Sequence, residues 1–195
     1  MTGASGAVYA TRLLEVLLES GREIHLLISP SGAAVIEQEL HRSVNLDRFD
    51  VRALLPDASS ERAQGMIRYH HYTDFIAPPA SGSFLTAGMV VCPCSGSTLS
   101  GIAHGSSTNL IQRAAEVHLK ERRTLILVPR ETPLSLVQLD NMRKAAEAGA
   151  IILPASPGWY HGVQSLQDLV DFVVARILDQ LGIPHQLIQR WGQTP

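Results

Sequence analysis

The sequence predicts an α/β fold, a doubly wound domain on a mostly parallel sheet, and three observations predict it. Apolar runs without polar alternation, IHLLI, MVV, TLILV and AII, recur along the chain, which is the pattern of strands buried on both faces. Each run breaks into a small, polar, loop-forming cluster: SPSG after Ile28, then CPCSGS, PRETPLS and LPASPGWYH. Between the runs lie segments with apolar residues at helical spacing, so strands and helices alternate as in a single Rossmann-like domain. Ligands of open α/β sheets sit outside the carboxyl ends of the strands. The four clusters therefore mark the expected site.

The elements follow in order. The chain opens with MTGASGA and passes into VYATRLLEVLLESG, where Leu13, Leu14, Leu17 and Leu18 form an apolar stripe and Gly21 ends the helix. In the turn before it, Gly3 and Gly6 permit close backbone approach and Ser5 offers a hydroxyl, which makes the helix amino terminus an anion site suited to a phosphate. The same turn also reads as a plain helix entry. A strand is expected over 23–28 and a helix over 31–40, whereas residues 41 to about 65 carry no clear period. GSSTNLIQRAAEVHLKER starts with capping Ser and Thr and continues as a helix that sets Arg113 and Lys120, seven apart, on one face. LSLVQLDNMRKAAEAGA gives a further helix ending at Gly149. SLQDLVDFVVARILDQLG gives the last, with Leu166, Leu169, Val170, Val173, Ile177 and Leu181 as a broad stripe that Gly182 and Pro184 stop.

Length and composition bound the rest. At 195 residues with 45% hydrophobic and 17% charged content, the chain suffices for one full core and is too short for two ordinary domains, so residues 1–195 read as one domain. A formal net charge of −2 supplies no whole-chain field for nucleic acid or an anionic membrane, and neither partner is expected. Low charge also leaves a surface poor for a monomer, which points to burial between subunits. Cys92 and Cys94 are the only cysteines. Separated by one proline at a strand end, they suit neither a disulfide nor a zinc site, which wants a second ligand pair. No metal is expected. With no signal peptide or spanning run, the reducing cytoplasm is the expected compartment.

Several groups suit chemistry. Arg130 and Glu131 follow directly on TLILVP, placing a cation and a carboxylate where a ligand would lie, although a solvated ion pair reads equally from the pattern. Arg176 stands in the apolar last helix beside Val173 and Ile177, where a guanidinium wants a carboxylate or phosphate unless it snorkels. Tyr160 in GWYH offers a hydroxyl to an anion, with Trp159 beside it, or serves as a structural tyrosine. Glu39, late in a helix that begins at a strand's carboxyl end, is a candidate proton shuttle or a solvated carboxylate. His70 and His71 are adjacent and share no face, and no HxxxH or HExxH spacing occurs.

TGASGA, APPASGS (residues 77–83), CPCSGSTLSGIA, NLIQRAAEVHLKERRTLILVPRETPLS, PGWYH and DFVVARILDQLG, in this order and over nearly the whole chain, resemble the flavin prenyltransferases of the UbiX/Pad1 family. The resemblance implies an enzyme that joins a dimethylallyl group from dimethylallyl phosphate to N5 and C6 of reduced FMN, without a metal. Its product would be prenylated FMN, the cofactor of UbiD-type decarboxylases. It implies flavin contacts at Gly3, Ala4, Ser5, Ser29, Ser95, Gly96, Ser97, Thr98 and Arg130. A prenyl phosphate pocket would comprise Ser81, Arg113, Lys120, Glu131, Tyr160 and Arg176, drawn from more than one subunit of a homo-oligomer, a dodecamer in the family. Ser5 and Glu39 would relay a proton, Glu131 would assist the phosphate as acid and base, and Trp191 would shield the flavin or prenyl group. Family members carry about one strand before the TGASGA turn, so the resemblance also implies that the first strand before Gly3 is absent or truncated, with FMN affinity the property affected. An FMN-dependent cysteine decarboxylase and a non-catalytic flavin carrier are the alternatives on the same fold.

Overall fold

The computed structural model describes residues 1–56, 65–190 and 192. Helix α1 (Ala7–Glu19) starts where Gly6 takes φ 114° and ψ 33°, a left-handed conformation open to glycine at low cost. A Cβ there would also stand 2.9 Å from the Tyr9 ring. Strand β1 (Ile24–Leu26) leads to α2 (Pro30–Leu40), whose amino terminus is capped by Ser29 and opened by Pro30. The stretch without sequence period contains a single-turn helix, α3 (Val51–Leu54). Strand β2 (Ile67–Tyr69) and a 3-10 turn at Pro78–Ala80 precede β3 (Met89–Cys94).

Ser95 caps α4 (Gly96–Ala103) and Asn109 caps α5 (Leu110–Lys120). Strand β4 (Leu125–Pro129) is followed by α6 (Leu136–Glu147), which opens with a reciprocal capping box between Ser135 and Gln138. A short β5 (Ile151–Ile152) and α7 (Leu166–Leu181) complete the order, with Gly182 ending α7 in the left-handed region at φ 66°.

Every strand pair is parallel, as expected, but the strands form two sheets rather than one: β1-β2 and β3-β4-β5. Each helix layer has its own core. Ile126 and Val128 of β4 join the cluster that holds Ile28, Ile36 and Ile177, while Leu125 and Leu127 join the cluster of Leu99, Leu110 and Ile111. This two-sided burial is why TLILV reads as unbroken hydrophobics. Cys92 and Cys94 are buried free thiols in different clusters, and burial pushes each up to about 12.

The two sheets meet through Met1 and Thr2. The Met1 nitrogen donates to Leu27 O (2.7 Å) and Met1 O accepts from Ser29 N (3.1 Å). On the other side, Thr2 N and Thr2 Oγ1 both donate to Pro93 O, at 3.2 and 2.7 Å. Behind Met1, between β1 and β3, lies a cavity of about 580 Å³.

One expectation is corrected. Leu166, counted in the apolar stripe, is 82% exposed, because it occupies the first turn of α7, ahead of the buried stretch that begins at Val170. Arg176 lies on the exposed side of α7, between buried Ala175 and Ile177, with Asp179 as its carboxylate partner. Among the described residues, no helix is long and apolar enough to cross a membrane.

Candidate active site

The amino-terminal turn and three strand ends converge. A Cβ at Gly3 would collide with Ser31, so glycine lets the turn lie directly on the start of α2. Ala4 is buried and Ser5 half-buried. Ser29, at the end of the β1 segment, accepts Gly32 N at 3.0 Å. After β3, Ser95 N donates to Thr2 Oγ1 at 2.8 Å, and the Ser95 hydroxyl accepts Thr98 N at 3.3 Å. It also donates to Thr98 Oγ1 at 3.0 Å and lies 3.2 Å from Ser97 Oγ. Gly96 begins α4 here, facing Gln138. After β4, Arg130 Nε donates to Ser5 O at 3.3 Å, and Glu131 accepts Gln138 Nε2 at 3.3 Å.

Glu39 enters this cluster from the last turn of α2. Its carboxylate accepts Gly6 N at 2.9 Å and Ala7 N at 2.8 Å, together with the Ser5 hydroxyl. Burial pushes its pKa up, but these hydrogen bonds and the nearby Arg130 charge outweigh that and hold it below the ordinary carboxylate value. At the α1 amino terminus the Gly6 and Ala7 amides thus donate to the chain's own carboxylate, which satisfies two open N–H groups of the first turn.

Ser81, Arg113 and Lys120 form a second group. Arg113 Nε donates to Ala80 O at 3.2 Å, so the loop at 80–82 lies on the α5 face that carries both cations. A Cβ at Gly82 would stand 2.7 Å from Lys120 Nζ. Exposed Ser81 shares a 2.9 Å hydrogen bond with Ser83. Arg113 pairs with Glu116 at 3.1 Å, and Lys120 pairs with Glu121. Tyr160 and Arg176 stand elsewhere in the chain. The Tyr160 ring meets Phe172 edge-on at 5.8 Å, and Arg176 pairs with Asp179 at 2.6 Å. Trp159 is exposed, and Trp191 lies outside the described residues.

Sequence reasoning missed Thr2, Gln138 and Asp179. Thr2 ties Ser95 to the first turn, and Gln138 serves both a helix cap and Glu131. Asp179 collects Arg176, Arg190 and His185. A signal existed for Gln138, since Ser135-x-x-Gln138 is a capping-box spacing. Among the described residues, no group of three or more His, Cys, Asp or Glu could hold a metal ion.

The donor set fits FMN: hydroxyls after β1 and β3, a glycine-rich turn and the Arg130 guanidinium after β4 gather at the carboxyl ends of the strands, where a doubly wound sheet takes its ligand. Fold and site thus define an α/β flavoprotein, and the family model described as Flavoprotein matches residues 1–178. The flavin prenyltransferase UbiX of Pseudomonas aeruginosa is 51% identical over 193 residues, covering 99% of this chain and 92% of that protein. The crystal structure of AnUbiX (PadA1) in complex with FMN and dimethylallyl pyrophosphate superposes with a TM-score of 0.85 at 39% identity, covering 100% of this chain and 96% of that one. A dodecameric FMN-dependent UbiX-like decarboxylase from Escherichia coli O157:H7 gives a TM-score of 0.85 at 38% identity, covering 99% and 97%. The chain belongs to the UbiX flavin prenyltransferase family.

Proposed function

We propose that this chain joins a dimethylallyl group from dimethylallyl phosphate to reduced FMN at N5 and C6, making prenylated FMN. The observation that carries the reading is the joining of Ser5, Glu39 and Arg130 at a hydroxyl-rich sheet end in a chain 51% identical to a flavin prenyltransferase over nearly its whole length. FMN, when bound and reduced, supplies the nucleophilic atoms to which the prenyl group is joined. Gly3, Ala4, Ser5, Ser29, Ser95, Gly96, Ser97, Thr98 and Arg130 hold it. Glu39, ionised at neutral pH, takes a proton through the Ser5 hydroxyl that it already accepts.

Ser81, Arg113, Lys120, Tyr160 and Arg176 bind the prenyl phosphate. Donors fixed around a departing phosphate stabilise the charge that develops on its oxygens, so a metal is not needed. Glu131, oriented by Gln138, assists the phosphate as acid and base. Within one chain the Arg113–Lys120 group and Arg176 belong to separate hydrogen-bond networks, which supports a pocket completed by a neighbouring subunit. The assembly is a homododecamer acting in the cytoplasm, and a UbiD-type decarboxylase receives the product.

Anaerobic incubation with reduced FMN and dimethylallyl phosphate, followed by mass spectrometry of the released flavin, tests the reading. A gain of one C5H8 unit is expected. Bound but unmodified FMN would instead favour a flavin carrier.

A further inference from the structure

Asp179, near the carboxyl end of α7, serves three partners. Its Oδ2 accepts Arg176 Nη1 at 2.6 Å, one turn back on the same helix. Its Oδ1 accepts Arg190 Nη2 at 2.7 Å and His185 Nε2 at 3.1 Å. The latter two come from the segment after α7, where Ile183 and Leu187 pack against the core. Leu187 N donates to His185 Nδ1 at 3.4 Å, which sets the imidazole proton on Nε2, aimed at Asp179. The Asp179 and His185 side chains are 16% and 2% exposed, against 46% for Arg176. A largely buried carboxylate, pinned at one oxygen, thus presents the other to a guanidinium that faces outward.

We propose that Asp179 is a positioning residue of the prenyl phosphate site, setting the Arg176 guanidinium in the orientation that receives the phosphate. The inference rests on the assignment of Arg176 to that phosphate. A guanidinium carries five N–H donors in a rigid plane, and the bond to Asp179 occupies one, so the rest of the fork stays open to phosphate oxygens. An arginine side chain loses rotamer freedom when it binds a ligand, and one already held loses less. Burial pushes the Asp179 carboxyl up, but the hydrogen bonds and charges of Arg190 and His185 outweigh it and hold the group below the ordinary carboxylate value. Two guanidiniums against one carboxylate still leave an excess of positive charge, which suits an anionic ligand. A role confined to tying the last segment to α7 needs only Arg190 and His185. It has no use for the third bond, to an exposed arginine.

Initial rates of prenylation by the full chain at saturating reduced FMN, with dimethylallyl phosphate varied, test the inference. Asp179→Asn is expected to raise the KM for dimethylallyl phosphate about fivefold, with kcat within about twofold of wild type and FMN retained. In a chain already carrying Arg176→Ala, the same change should raise KM no further, because Asp179 acts through the removed guanidinium. Asp179→Glu serves as a second variant should the first not fold: the added methylene shifts the guanidinium, so KM rises about twofold, again only while Arg176 is present. An unchanged KM, a fall in kcat alone, or a KM rise that persists in full without Arg176 would overturn the inference while leaving the proposed activity standing. No conversion by the wild-type chain would overturn the activity first and the inference with it.

Discussion

A carboxylate that accepts two amide hydrogens and a hydroxyl is held in its ionised form, and Gly6, Ala7 and Ser5 hold Glu39 so. Its folded-state pKa is lower than its unfolded one, so its contribution to stability is complete above the ordinary carboxylate value of 4.5. The contribution is lost as pH falls through the lower folded-state value. Glu39→Gln should cost about 1 kcal/mol at pH 7, discounted for the exposure of the site. The difference from wild type should shrink in acid unfolding curves taken below that range. Glu131 has a different task, and Glu131→Gln should retain FMN while slowing prenylation about 100-fold in single-turnover assays. Wild-type turnover in that variant would remove Glu131 from the mechanism. Arg176→Ala should raise the KM for dimethylallyl phosphate by about tenfold, with FMN binding nearly unchanged. Equal loss of both would assign Arg176 to folding.

Helices α4 and α5 approach so closely at Gly101 that a Cβ there would run into the Gln112 side chain. Gly101→Ala should therefore destabilise by about 1–3 kcal/mol, seen as a lower Tm in thermal melts with the helical content retained. Elements of this sort mark what the sequence made legible and what it did not. The expectations at 31–40 and in the last helix came close to α2 and α7 because capping serines, apolar periodicity and Gly182 all act locally. By contrast, β2 has only three residues, too few for its alternation to stand out, and its pairing with β1 joins Ile24 to Ile67 across the chain, so no strong local signal announces it. The α4 helix hid in CPCSGSTLSGIA, where Ser and Gly read as loop although Ser95 is a cap. Of the candidate site, the strand-end positions were readable because loops must follow buried runs. The capture of the α1 amides by Glu39 was not, since it brings together residues 33 apart in sequence through tertiary packing alone.

At the scale of the molecule, α6 leaves Leu136 and Val137 exposed at 84% and 70%, and a related UbiX-like structure is dodecameric. Val137→Asp should dissociate the assembly in light scattering while leaving the helical spectrum intact. Prenyl transfer should fall with it, if a neighbouring subunit completes the phosphate pocket. The division into two sheets has a further bearing on how the protein handles a tightly held product. Ser29 follows the strand of one sheet, while Ser95 and Arg130 follow strands of the other, and hydrogen bonds of Met1 and Thr2 span the join. In the proposed site a flavin held by all three residues would act as a crossbeam between the two sheets. Melting of the flavin-free protein should be broad or biphasic, and that of the loaded protein sharp and single. The dwell time of the finished cofactor would accordingly be set by how often the two sheets part.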